Sequence, residues 1–406
     1  MENKKTNIPI RRFKEFENAN AWEQCGFENL FAPVRNNSLS RAELNYESGA
    51  VKNIHYGDIL VRFDSVVSYE NEMIPYVNDS VEIDFSSHLL QDGDIIFADA
   101  AEDETVGKAV EITGIKDNKI VAGLHTIACR PTKKVEPLYL GYYLNSNAYH
   151  DQLSPIMQGT KVNSISRNSI AKTEILLPES ADEQKAIGSF FSTLDHTITF
   201  HQRKLEKVKA LKTAYLAEMF PAEGERKPKR RFAGFTDAWE QRRLGEFVEI
   251  TTGRLDANAM VEDGEFDFYT SGIKKYKIDV HAFEGPAITI AGNGATVGYM
   301  HLTDGKFNAY QRTYVLSNFQ ADRQFMFSAI GKNLPKKISE EARTGNIPYI
   351  VMDMLTGLKM DISSDKEEQQ KLGSFFRNVD YLITFHQRKL EKLQNIKSAY
   401  LNEMFV

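Results

Sequence analysis

Few residues in this chain are spaced for chemistry. Glu183, Gln184 and Lys185 form a Glu-x-Lys triplet of the nuclease type. A near-copy of the segment has Glu368, Gln369 and Gln370 there, so the lysine is not kept. A glutamate in a helix first turn is favoured by the helix dipole without any catalytic role. Gly292-Asn293-Gly294 with Gly298 loosely resembles a glycine-rich cofactor loop but departs from GxGxxG, and tight turns between strands account for it. The chain contains neither a GxxxxGK[ST] phosphate loop nor an Asn-Pro-Pro-aromatic tetrapeptide, which argues against an ATP motor and against methyl transfer. Cys25 and Cys129 lie far apart without zinc spacing and read as free thiols of a reducing compartment. His201 and His386 recur at matching places and read as surface or seam residues. No catalytic residue, metal site or cofactor is expected on this chain.

What remains are polar side chains on loops. Lys161, Asn163, Ser166, Arg167 and Asn168 stand in one polar run, and Arg343, Thr344 and Asn346 in another. Lys274, Lys275, Asn293, Gln311 and Arg312 join them as candidates. These residue types reach phosphates and base edges, so contact with DNA is the functional reading; ordinary solvated loops are the alternative. The net charge of −6 does not suit a simple DNA-coating protein. Between His201 and Arg231, however, ten Lys and Arg face four Glu, a run that a solvated helix face or linker also explains.

The elements that must position these loops come in two copies. Glu183–Phe220 and Glu368–Phe405 share about 24 of 38 residues, including the run ITFHQRKLEK in both. A shorter marker precedes each variable block: Arg12-Phe13 with Ala21-Trp22-Glu23-Gln24, and Arg231-Phe232 with Ala238-Trp239-Glu240-Gln241. These markers hold the only two tryptophans. The blocks between marker and helix show no obvious similarity to each other.

Both repeated segments read as long helices. Ser180–Glu183 and Ser364–Glu367 fit capping boxes, and Pro221 follows the first helix at its stop. Leu194, Ile198, Leu205, Val208 and Tyr215 define a coiled-coil seam, matched by Val379, Ile383, Leu390, Leu393 and Tyr400. His201, Lys212, His386 and Lys397 interrupt the seam at matching places, a device that can fix register. A helix of this length spans about 57 Å, and its expected partner is the other copy, packed antiparallel. Successive major-groove faces on one side of DNA recur about every 34–36 Å, so such a spacer suits two readers one to one-and-a-half turns apart. A docking platform for partner proteins is the second role expected of it.

Within the blocks, strands are expected over Gly57–Phe63, Gly93–Asp99, Ile120–Leu124, Gly285–Gly292 and Gln311–Leu316. Helices are expected around Pro137–Gln152 and Asp322–Ile330. The fold class is α+β: two α/β domains separated by two long antiparallel coiled-coil helices, with a pseudo-two-fold internal repeat. The boundaries read 1–21 N-terminal segment, 22–179 first domain, 180–221 first spacer helix, 222–238 basic linker, 239–363 second domain and 364–406 second spacer helix. No apolar run is long enough to span a membrane, and Met1–Lys5 lead into no apolar stretch, so a cytoplasmic protein is expected.

The order of these parts resembles the specificity subunit of type I restriction–modification systems over nearly the whole chain. The resemblance rests on FADAAEDETVGKAVEI at Phe97–Ile112, RRFAGFTDAWEQRRLGEF at Arg230–Phe247, and above all the duplicated helix. The first marker, Arg12–Trp22, is looser than the second. The resemblance implies that each variable block reads one half of an asymmetric, gapped double-stranded DNA site. It implies an antiparallel helix pair whose length sets the gap. It further implies two methyltransferase subunits that bring S-adenosylmethionine and flip an adenine in each half-site. Restriction subunits would add ATP- and Mg-dependent translocation and cleavage. Competing readings are a pure protein-docking scaffold and an enzyme fused to a reader; the missing motifs speak against the latter.

Overall fold

The computed structural model describes residues 7–70, 72–159, 161–341 and 349–406. The chain forms two compact units, Met1–Phe200 with Lys389–Val406, and His201–Arg388. Three long helices are labelled here: α1 (Ala181–Met219), α2 (Arg323–Glu341) and α3 (Lys366–Glu403). Both units draw on α1 and α3.

In the first unit, a five-stranded sheet orders Phe31–Val34, Thr126–Pro131, Ile95–Ala98, Ala109–Thr113 and Val66–Ser68. A smaller sheet orders Ile120–Ala122, Lys52–Ile54, Tyr76–Val77 and Leu44–Asn45. Ile95–Ala98 is buried throughout, as a central strand covered on both faces should be. The expected strand at Gly57–Phe63 is instead the helix Tyr56–Val61. His55 caps it by accepting the Gly57 N–H, and Arg41 clamps the buried Asp58 carboxylate at 2.9 and 3.1 Å. Ile59 in the helix and Phe63 just past its end are both buried. The helix expected near Pro137–Gln152 is two short ones, Tyr139–Tyr143 and Asn147–His150.

In the second unit, one sheet orders Glu249–Thr252, Thr313–Ser317, Ala287–Ala291 and Met300–Thr303. The other orders Lys275–Ile278, Phe266–Tyr269, Lys306–Ala309 and Phe283–Glu284. α2 runs further than the stretch expected for it and packs Phe325, Met326, Ala329 and Ile330 into the core. Asp322 starts it by accepting the Phe325 N–H at 2.8 Å.

Each unit closes on the paired helices. In the first, Phe190 meets Tyr400 at 5.2 Å and Phe191 stacks on Phe405 at 5.6 Å. In the second, Tyr215 meets Phe375 at 5.3 Å and Phe220 meets Phe376 at 5.8 Å. Phe190 faces Tyr400 and Asp195 faces Lys397, while Lys212 faces Asp380 and Tyr215 faces Phe375, so rising numbers on α1 meet falling numbers on α3 and the helices run antiparallel within each unit. The lysines that interrupt the seam meet aspartates of the other helix: Lys397 to Asp195 at 2.6 Å, Lys212 to Asp380 at 2.5 Å. His201 and His386 face one another, Nδ1 to Nδ1, at 2.9 Å. Leu194 and Leu205 are buried, and the other eight seam residues are half-buried. The cap of α3 is Asp365, whose Oδ1 accepts from Glu367 at 2.8 Å and Glu368 at 3.3 Å. The expected box at Ser364 is therefore displaced by one residue, onto the repeat counterpart of Ser180.

The two markers have one structural purpose, repeated in each unit. Arg12 donates to both oxygens of Glu183, at 2.6 and 2.7 Å, and the Trp22 indole N–H points to the same carboxylate at 3.4 Å. Arg231 donates to both oxygens of Glu368, at 2.5 and 2.8 Å, and Trp239 donates at 3.0 Å. A further guanidinium N–H reaches Ala19 O in one copy and Asp237 O in the other, at 2.8 and 2.7 Å. Behind each marker an antiparallel pair forms, Glu23–Gly26 with Glu174–Leu177 and Glu240–Arg243 with Lys359–Ile362. The glutamate of the Glu-x-Lys triplet is thus a buried structural carboxylate.

Both glutamates are at most 1 % exposed, so losing the arginine strands a buried charge. Arg231→Ala is expected to cost about 3–5 kcal/mol in urea unfolding of the full chain, and Arg231→Met with Glu368→Leu much less. Equal losses for the single and the double variant would contradict this account.

Glu111 offers a second test. Its buried carboxylate accepts the Leu138 and Gly141 N–H groups at 2.6 and 2.9 Å. Burial outweighs those bonds and pushes its pKa up from 4.5 to about 7. The folded value lies above the unfolded one, so its stabilising contribution is full below pH 4.5 and is lost as pH rises through about 7. Wild-type stability relative to Glu111→Gln should therefore decline across that window and level off above it. A constant difference would refute the assignment.

Candidate nucleic-acid interface

The same hairpin builds one edge of each unit, and described polar candidates lie along it. In the first unit the turn is Thr105-Val106-Gly107, with the Gly107 N–H on Ala98 O at 2.9 Å. In the second it is Thr296-Val297-Gly298, with the Gly298 N–H on Ala291 O at 2.8 Å. Both glycines have left-handed φ, +86° and +82°, which the turn requires. The glycine-rich stretch around Gly292 is therefore a strand turn.

Beyond each strand the chain meets two other segments. The Asp99 N–H bonds His125 O at 3.1 Å, and the Gly292 N–H bonds Arg312 O at 2.8 Å. In the first unit Asn163-Ser164 of the polar closing loop pairs with Ala101-Ala100, and in the second Asn293 bridges to Tyr349.

In the first unit, Lys161 and Asn168 are exposed. Asn163 is half-buried and donates to Asp103 O at 3.1 Å. Ser166 caps the short helix Arg167–Ile170 by accepting the Ser169 N–H. Arg167 donates to Ala128 O at 3.1 Å and Val34 O at 3.3 Å, tying that helix to the sheet. Glu102, Asp103 and Glu104 are exposed at the hairpin turn, so this edge carries acid as well as base.

In the second unit, Lys274 lies over the Tyr276 ring and Lys275 over Tyr269, at 5.3 and 5.2 Å. Lys275 also pairs with Asp267 at 3.6 Å. Ser271 bonds the Asn293 side chain, and Thr296 bonds Ser271 O, which joins the lysine loop to the hairpin. Gln311 and Arg312 are exposed and, with Gly292, Tyr314, Tyr349 and Ile350, line an open depression of about 480 Å³. Arg343, Thr344 and Asn346 lie outside the described residues.

Sequence reasoning missed two groups. His125 stands half-exposed beside Asp99, Nδ1 to Oδ1 at 3.2 Å, and against the edge of Tyr56 at 5.2 Å. Burial raises the Asp99 pKa, and His125 partly opposes that shift. His301 sits between Tyr269 and Tyr299, at 5.1 and 4.9 Å; burial lowers its pKa against the opposing Gly272 carbonyl. Their only sequence signal is pairing register, invisible before the sheets are known. Among the described residues no group of three or more His, Cys, Asp or Glu could hold a metal ion, and no helix is long and apolar enough to cross a membrane.

Two like hairpin edges on a duplicated helical frame define a class, and comparison identifies it. A family model described as "Type I restriction modification DNA specificity domain" matches residues 53–210 and again 236–395. The chain belongs to this family of non-catalytic specificity subunits, and the double match is its internal repeat. It is 35% identical over 145 residues to the type I restriction enzyme EcoDI specificity subunit of Escherichia coli, covering 35% of this chain and 32% of that protein. It is 22% identical over 306 residues to the type I restriction enzyme MjaVIII specificity subunit of Methanocaldococcus jannaschii, covering 66% and 69%. The first match thus takes in about a third of the relative's length. In fold, the chain is similar to the crystal structure of the type I restriction–modification S subunit from M. genitalium: TM-score 0.71, 16% identity, 98% and 99% coverage.

Arg167 and Asn168 are neighbours with opposite expectations. Arg167→Ala should lower stability by about 1–2 kcal/mol, because two charge-assisted bonds to backbone are lost. Asn168→Ala should leave the urea midpoint unchanged. Equal midpoints for the two variants would show that Arg167 does not anchor the loop.

Proposed function

We propose that this chain reads an asymmetric, bipartite double-stranded DNA site, one half per target-recognition domain, and directs partner subunits to it. The observation that carries the reading is the contrast between frame and edge. The ion lock recurs with the same residue types and the long helix with about 24 of 38 residues identical, while the edges they support carry different side chains: Asp99 and His125 in one, Gly292 and Arg312 in the other. A symmetric ligand would have no use for that difference.

The division 22–179 and 239–363 assigns the two reading domains. Lys161, Asn163, Ser166, Arg167 and Asn168 are the candidate contacts in the first; Lys274, Lys275, Asn293, Gln311 and Arg312 in the second, with Arg343, Thr344 and Asn346 in its closing loop. The paired helices set the gap between half-sites and dock two methyltransferase subunits, which bring S-adenosylmethionine. Restriction subunits with ATP and Mg join through that complex. Cytoplasmic residence follows from the substrate.

The test is a base-resolution methylome of cells carrying the partner methyltransferase, with and without this chain. A gapped adenine-methylated motif should appear only with the chain, and replacing residues 239–363 should change one half of it. Methylation indifferent to the chain would favour the docking scaffold instead. At the residue level, Lys161→Ala and Lys274→Ala should each weaken binding to all duplexes alike and reduce the salt slope by about 0.9. Loss confined to one sequence would make that lysine a base contact.

A further inference from the structure

We propose that His125 reads a base edge in the first half-site, at the position that Arg312 holds in the second domain. The inference rests on the DNA-reading function above and names the residues that confer its specificity.

Strand register makes the two positions equivalent. Thr126 pairs with Ala98, and Thr313 pairs with Ala291. One residue earlier stand His125 and Arg312. Each offers its carbonyl to the residue just past the neighbouring strand, Asp99 or Gly292. That residue in turn accepts from a third segment, the Ile165 N–H on Asp99 O and the Ile350 N–H on Gly292 O, both at 2.9 Å. Two unlike sequences therefore bring one residue to the same backbone position on the same edge.

Both side chains can make sequence-specific contacts. Arg312 is exposed, and its guanidinium can pair bidentately with guanine O6 and N7. His125 is 51 % exposed, and its Nδ1 faces the Asp99 carboxylate. With Nδ1–H donated to Asp99, Nε2 is the ring nitrogen left for a ligand. The Tyr56 ring packs against the imidazole, so the ring enters a groove with its rotamer already set. His125 also has a left-handed backbone, φ 54°, uncommon for a residue with a side chain and typical of positions held for function. The pair solves a chemical problem specific to this edge. Where the second domain has Gly292, the first has an acid, which would repel phosphate unless it were engaged by the histidine.

The experiment measures competition binding by the assembled complex against duplexes in which each base pair of the recognised motif is replaced in turn. Wild type should discriminate about 5- to 150-fold at each read position. His125→Asn keeps a side chain that tolerates left-handed φ. It should reduce discrimination to below about threefold at one base pair of one half-site, leaving the other half intact. Arg312→Gln should do the same at one base pair of the opposite half. Asp99→Asn, a positioning change, should loosen only the base pair that depends on His125. Should His125→Asn melt below wild type, His125→Gly carries the same test, because glycine accepts this backbone freely. Unchanged discrimination at every position, or equal weakening on all duplexes, would overturn the proposal. Absence of any bipartite motif in wild type would instead overturn the functional reading beneath it.

Discussion

A buried carboxylate at the start of each long helix holds each half of this protein together. Glu183 and Glu368 are sealed from water and gripped by an arginine and a tryptophan from a marker 161–171 or 129–137 residues earlier. A buried anion is tolerated only when its partners are in place, so the marker cannot drift from the helix. The strand pair behind the marker, the first helical turn and both ends of the variable block converge on this lock. An insert pinned at both ends can change its own loops without disturbing the frame.

The helix pair obeys the same logic. A continuous apolar seam would allow the helices to slide by a heptad. Lysine–aspartate pairs in both units and the facing histidines give one alignment its partners. Asp195 also accepts the Tyr142 hydroxyl, which ties the seam to the first domain's core. Polar interruptions thus trade some apolar burial for a defined register.

Much of this was legible in the sequence, and the failures have physical causes. Repetition exposed the frame, because two copies of one helix announce which positions matter. The markers were visible as a pattern, but their purpose was not, since Arg12 and Glu183 meet only after folding. Gly57–Phe63 read as a strand because its Ile, Leu, Val and Phe favour extended structure; the His55 cap and the Arg41–Asp58 clamp made it a helix. Ser166 and Arg167 read as polar loop residues, and the sequence did not show that they also cap and anchor a short helix. His125 was overlooked because its neighbour Asp99 is distant in sequence, and only the sheet register sets it opposite Arg312's position.

The fold separates what must stay constant from what must vary. Locks, helices and seam repeat; the hairpin edges differ in charge and in hydrogen-bonding groups. On this account recognition is divided, each domain contributing its own few base contacts. The most direct test is selection of binding sites from a fully randomised duplex pool by the assembled methyltransferase complex. The account predicts two unlike blocks of sequence information, separated by a stretch of fixed length that carries none. A single continuous block, or two blocks with a variable gap, would contradict it.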